Sequence, residues 1–164
     1  MTAAAPLAAT RHPASFLAFD YGARRVGVAT GNTLLGRARP LTTVQAQGDA
    51  RFAAIARLID EWRPDALVVG VPFHPDGAAH DNTRRARAFG RQLHGRFRLP
   101  VHEVDERYST TEALAQGAAD ADAAAAAIIL DQFLRSLADR DPVNDTATDP
   151  VTQREKARDD DAAA

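Results

Sequence analysis

Residues 66–71 read Ala-Leu-Val-Val-Gly-Val, an apolar run with no polar residue at alternate positions. A strand with one face in water alternates in polarity, whereas an unbroken apolar strand is buried on both faces, as in parallel sheets covered by helices. The flanking segments supply those helices. Upstream, Phe52, Ile55, Ile59 and Trp62 recur at helical spacing between Asp49, an expected N-cap, and Pro64, which stops the run. Downstream, a helix beginning near Asn82 places Ala86, Phe89, Leu93 and Phe97 on one face and Arg84, Arg87, Arg91 and Arg98 on the other.

Further outward, Phe16–Asp20 and Arg25–Thr30 read as strands joined through Gly22, expected to turn at positive φ. Pro40–Val44 makes a third strand and Val101–Asp105 a fifth. Ser109-Thr110-Thr111-Glu112 has the spacing of a capping box that opens another helix. A last helix runs from about Asp122 to Leu137, with Ile129, Phe133 and Leu137 spaced four apart. The order βββαβαβαα predicts an α/β fold: a five-stranded mixed sheet, three antiparallel strands followed by parallel βα units, flanked by helices.

At 164 residues, 45% of them hydrophobic, the chain has the size of one domain with its own core. It has no cysteine, which excludes disulfides, thiolate metal sites and a cysteine nucleophile. Residues 1–14 lack an early basic residue and a continuous apolar core, and are expected to be a flexible leader rather than a signal peptide. No stretch approaches the ~20 apolar residues of a membrane span, so the expectation is a cytoplasmic protein without a membrane partner. The net charge of −2 is unevenly spread. Residues 139–164 hold eight acids against four bases, leaving +2 for residues 1–138. This acidic segment, poor in large apolar residues, is expected to be a disordered tail behind a domain at 15–138.

Three acids occupy informative places: Asp20 ends FLAFD, Glu106 ends VHEVDE, and Asp122 opens DAAAAAIIL. A carboxylate at a strand's end stays accessible while the buried strand fixes its position, so three from distant segments can meet around hard divalent cations. That is the donor set of a two-metal phosphodiesterase, with Mg²⁺ or Mn²⁺ as the ion. Each acid also has a plainer role. Asp20 suits an Asx turn, Glu106 can pair with Arg107, and Asp122 can cap a helix. Asp105 competes with Glu106 because strand neighbours face opposite sides, and Asp120 competes with Asp122.

Arginine presents a planar fork to phosphate oxygens, which makes Arg24, Arg25 and Arg107 candidates for holding a nucleic-acid backbone. The stripe Arg84, Arg87 and Arg91 extends that footprint or is simply a solvated helix face. The five histidines show no paired metal-ligand spacing, and no GxSxG or Walker-type phosphate loop occurs.

Together, FDYGARRVGVA (19–29), VVGVPFHPDG (68–77), VDERYSTTEA (104–113) and DAAAAAIILDQFL (122–134) resemble the YqgF family. It is also called RuvX, the Holliday-junction-resolvase-like family of the ribonuclease H-like superfamily. The resemblance spans roughly residues 15–138. It implies a ribonuclease H-like α/β domain and metal-dependent maturation of the 5′ end of pre-16S ribosomal RNA in bacterial ribosome biogenesis. The family's acidic positions carry over as Asp20, Glu106 and Asp122, and its basic pair as Arg24 and Arg25. The linker QGAADADA before the last helix departs from the family in lacking basic residues.

The implied partner is a structured rRNA precursor. A Holliday-junction DNA resolvase is the nearest alternative. Another is a non-catalytic module docking on RNA or ribosome-assembly proteins. An actin-like or sugar-kinase ATPase uses two related domains around the nucleotide, and this chain is expected to hold only one.

Overall fold

A computed structural model describes residues 13–74, 76–107 and 114–140. The leader through His12, the Ser109–Glu112 capping box and the segment from 141 onward lie outside the described residues. The strands are β1 (Ser15–Tyr21), β2 (Val26–Asn32), β3 (Ala38–Val44), β4 (Ala66–Phe73) and β5 (Val101–Arg107). The helices are α1 (Gly48–Trp62), α2 (Asp81–Phe97) and α3 (Ala121–Asp139). The described residues divide into two units, one ending at Leu134 and the other beginning at Arg135. The sheet, α1, α2 and α3 as far as Leu134 belong to the first. In the second, the last helical residues close with the Arg140 N–H donating to the Leu137 carbonyl at 3.2 Å.

The sheet has the order β3-β2-β1-β4-β5. β1 pairs antiparallel with β2, and β2 with β3, whereas β4 runs parallel to both β1 and β5. The expected mixed sheet is therefore present. β4 is an interior strand, between β1 and β5, and is buried over nearly its whole length, which accounts for its unbroken apolar sequence.

Strand parity sorts the core into two layers. Leu17, Phe19, Val26, Val28, Leu67 and Val69 pack with Phe52 and Ile55 of α1 and Phe89 and Leu93 of α2. On the other face, Ala29 packs with Ala126 and Ala127 of α3, and Phe16 meets Phe133 edge-on at 5.1 Å. Burying such a side chain contributes roughly 1.5–3 kcal/mol, so both layers fix strand register. A one-residue slip would turn every even-numbered side chain of β1, Asp20 included, away from α3.

Helix ends show where local signals were displaced. α1 has Gln47 at its N-cap, without a side-chain cap bond, and Asp49 lies in the first turn. Asp49 is drawn instead to Arg96 of α2, at 3.4 Å. α2 is capped by His80, whose Nδ1 accepts from the Asn82 N–H at 3.1 Å while the His80 N–H donates to Thr83 Oγ1 at 3.0 Å. Gly22 does not use the positive φ expected of it, since such values occur among the described glycines at 36, 48, 77 and 117. Its need is space: a Cβ there would lie 2.5 Å from the Arg25 carbonyl oxygen. Among the described residues no helix is long and apolar enough to cross a membrane.

A candidate active site at the carboxyl ends of the strands

The carboxyl ends of β1, β4 and β5 open into a cavity of about 260 Å³ bounded by the start of α3. Its walls include Asp20, Tyr21, Gly22 and Arg25 from the first hairpin, Gly70 and Pro72 from β4, and Glu106 from β5. Asn82 of α2 and Asp122, Ala125 and Ile129 of α3 complete it. Crevices at strand carboxyl ends are the usual ligand sites of open α/β sheets.

Parity explains why Glu106 rather than Asp105 faces the cavity. Along β5, His102 lies against Phe133 of α3 at 5.1 Å, while Glu103 is bound by Arg87 of α2 at 3.5 Å. Even-numbered residues thus face α3 and odd ones α2, so Glu106 turns inward and Asp105 stays exposed. Glu106 is only 7% exposed.

Capping separates the other pair. Asp120 is the N-cap of α3: its carboxylate accepts the Ala123 N–H at 3.1 Å and its carbonyl the Ala124 N–H at 3.0 Å. The same carboxylate accepts from the Thr43 hydroxyl of β3. Asp122, two residues further in, is relieved of capping and lines the cavity, with Arg25 Nε 3.3 Å from its Oδ2.

Gly27 makes this geometry possible. It pairs with Asp20 across the hairpin, and a Cβ there would fall 1.8 Å from the Asp122 carbonyl oxygen. Gly70 plays a similar part, since its Cβ would lie 2.4 Å from Ile129 Cδ1 and 3.4 Å from Glu106 Cγ. Gly27, Gly70, Tyr21 and Asn82 carry no charge pattern in the sequence; a glycine inside a buried strand, marking close approach of another element, is the signal that would have found two of them.

Burial, then the charge of Asp20, then that of Asp105, raises the Glu106 carboxyl from 4.5 to about 7. The folded state therefore holds this proton more tightly than the unfolded chain. The resulting stabilisation is complete below the unfolded value and lost as pH rises toward 7. In metal-free buffer Glu106→Gln should stabilise the protein above pH 7 by up to about 3 kcal/mol, with the two proteins converging near pH 4. Urea unfolding across that range checks this, and a difference constant with pH would contradict it.

Among the described residues no three acidic or histidine side chains are already drawn around a single ion position. Carboxylates without a cation between them repel, and Asp122 leans toward Arg25. The donor set nevertheless fits a hard divalent ion: carboxylate oxygens in an open cavity, with the Glu106 carboxyl raised to about 7 by burial and by the charges of Asp20 and Asp105, a repulsion that a cation would relieve.

The basic residues divide. Arg25 is in the cavity wall; Arg24 is exposed beside it. Arg107 closes β5, and its side chain is outside the described set. Arg84, Arg87 and Arg91 do not line the cavity. Arg84 pairs with Asp81 at 3.4 Å, both largely exposed, and Arg87 is held by Glu103 and over the Phe73 ring.

Residues 14–136 match the RuvX family, described as Holliday junction resolvase. This chain belongs to the RuvX family. A relative from Albidiferax ferrireducens is 68% identical over 123 residues, 75% of this chain and 79% of that protein, and bears the name "Putative pre-16S rRNA nuclease". A Polaromonas relative of the same name is 70% identical over 123 residues, 75% of this chain and 89% of its own length. One from Paraburkholderia phytofirmans, also so named, is 59% identical over 133 residues, 77% of this chain and 91% of that protein. Among solved structures, T. thermophilus RuvC in complex with a Holliday junction substrate superposes with a TM-score of 0.50 at 15% identity. The match covers 75% of this chain and 94% of that one. The fold of this RuvX protein is accordingly ribonuclease H-like, and RuvX is a family of phosphodiester-cleaving nucleases.

Proposed function

We propose that this RuvX protein is a divalent-metal-dependent nuclease that matures the 5′ end of pre-16S ribosomal RNA, in the cytoplasm, where Asp20, Glu106 and Asp122 hold Mg²⁺ or Mn²⁺. The observation that carries the reading is that these three acids, from segments far apart in sequence, line one cavity at the carboxyl ends of the central strands. The name borne by relatives up to 70% identical supports the RNA substrate.

When bound, the cation supplies Lewis acidity to the scissile phosphate and an activated water. The chain's own groups do the rest. Asp20 and Asp122 bring negative charge to opposite walls, one from a strand end and one from a helix start. Glu106, neutral in part near pH 7, would release its proton to solvent and serve as a carboxylate ligand if a cation offset the repulsion of Asp20 and Asp105. Arg25, with its side chain 61% exposed, can leave Asp122 to grip an entering phosphate. Arg24 adjoins Arg25 in the sequence and Arg107 adjoins Glu106, and Arg84, Arg87 and Arg91 extend the footprint over α2.

Purified protein should cleave a ribosomal RNA precursor in Mg²⁺ and stop on chelation. A second reading, a DNA resolvase, is favoured by the family's description. Cleavage of a four-way DNA junction with no action on the precursor would replace the first reading by the second. Binding of RNA without cleavage of either substrate would leave only a docking module.

Phosphate contacts make affinity fall with salt. Replacing Arg84, Arg87 and Arg91 together by Ala should reduce the slope of log K against log salt by about 2 units, at roughly 0.7 per phosphate contact. Filter binding over a salt series measures it. An unchanged slope would put the footprint elsewhere.

A further inference from the structure

Arg51 of α1 is the one charged residue besides Glu106 among the buried residues described, 5% exposed, and no carboxylate pairs with it there. Its Nε donates to the Ala46 carbonyl at 2.8 Å and an Nη to the Ala23 carbonyl at 3.0 Å. Its guanidinium carbon stands 5.6 Å from the centre of the Tyr21 ring. A buried charge is costly unless hydrogen-bonded, and anchoring a helix to a loop requires no charge at all. What the guanidinium offers is a rigid fork, able to hold two carbonyls of different loops at a fixed separation and angle.

Those carbonyls matter for where they lie. Ala23 is in the turn between β1 and β2, whose flanking residues Asp20, Tyr21, Gly22 and Arg25 all line the cavity. Ala46 is in the connection from β3 to α1, two residues beyond Val44, which pairs with Val26 at the start of β2. The turn is thus held from beneath by Arg51 while Arg25 reaches across to Asp122 on α3. Tyr21 is sandwiched in the same support, its ring 5.2 Å from that of Phe89.

We propose that Arg51 is a positioning residue for the cavity: through the Ala23 carbonyl and the Tyr21 ring it sets the β1–β2 turn so that Asp20 and Arg25 meet Glu106 and Asp122. It touches no substrate. The inference rests on the nuclease reading for its consequence in catalysis, but not for its consequence in the turn. A misplacement of about 1 Å in a positioning element costs on the order of 100-fold in rate.

The test compares wild type, Arg51→Lys and Arg51→Met. Lysine keeps charge and stem but lacks the planar fork; methionine keeps only the stem. Amide hydrogen exchange should quicken at least 10-fold at residues 22–26 in both variants, with β4 amides protected as in wild type. On the RNA precursor, kcat should fall about 30- to 100-fold with KM within about threefold, and lysine should restore the thermal transition without restoring kcat. A purely structural Arg51 gives the opposite: lowered thermal transition, unchanged turn exchange below it and unchanged kcat, which overturns the proposal. Quickened exchange with wild-type kcat overturns it equally. Should wild type cleave nothing, the nuclease reading falls by itself, and the exchange of the turn still decides whether Arg51 positions it.

Discussion

Asp20→Asn is expected to abolish cleavage of the RNA precursor, lowering the single-turnover rate by about three orders of magnitude while the thermal transition stays where it was. The substitution is nearly isosteric at the accessible end of β1, and the residues that hold the strand, Leu17, Phe19 and their partners, are untouched. What changes is charge. A carboxylate that binds a divalent ion contributes several kcal/mol to stabilising the charge developed at a phosphate, each 1.4 kcal/mol being about tenfold in rate. The substitution also withdraws one of the charges that raise Glu106, so the metal-free variant should lose part of the pH dependence of stability described above. Equal activity in wild type and Asp20→Asn, measured on the same preparation scale, would assign the cleavage to a contaminant and end the nuclease reading.

Gly27→Ala should be nearly as damaging by a different route. One methyl group is added, and it would lie 1.8 Å from the Asp122 carbonyl oxygen, 2.2 Å from the carbonyl carbon and 2.9 Å from the Ala123 nitrogen. All three are backbone atoms, which cannot rotate aside as the end of a side chain can. The first turn of α3 must then lift from the sheet, taking Asp122 with it and straining the Thr43–Asp120 bond that ties β3 to the helix cap. Overpacking of this kind costs about 3 kcal/mol. Urea unfolding should show that loss, and cleavage at a temperature where the variant remains folded should fall at least about 100-fold. A stable variant with wild-type activity would mean that the close approach at Gly27 does not set the place of Asp122. Gly70→Ala is the informative contrast, because its first obstacle is the Ile129 Cδ1 methyl at the end of a flexible side chain.

Much of the fold was legible because it follows from burial. The unbroken apolar run at 66–71 required a strand covered on both faces, and the helical spacing of Phe52 and Ile55, or of Ala86, Phe89 and Leu93, required helices to cover it. Helix starts were less legible, since Asp49 can serve as a cap or reach Arg96, and only the nearness of α2 selects the second. Gly22 likewise reads as a residue of unusual φ, whereas its constraint is the Arg25 carbonyl folded back against it.

The same division runs through the site. Sequence alone determined that acids end strands and open a helix, because hydrophobic patterning marks those ends. It did not choose between Asp105 and Glu106 or between Asp120 and Asp122. Those choices belong to the tertiary structure. Side-chain direction in β5 is set by which face packs on α3, and the N-cap of α3 by which acid meets the free N–H groups and Thr43. Nor does the chain announce Gly27 or Arg51, whose meaning lies in what stands next to them in space: a helix backbone for one, the carbonyls of two loops for the other. Local pattern encodes solvent exposure, so it locates elements and their ends; contact between distant segments has no local signature, so only the folded chain decides which ends face one another.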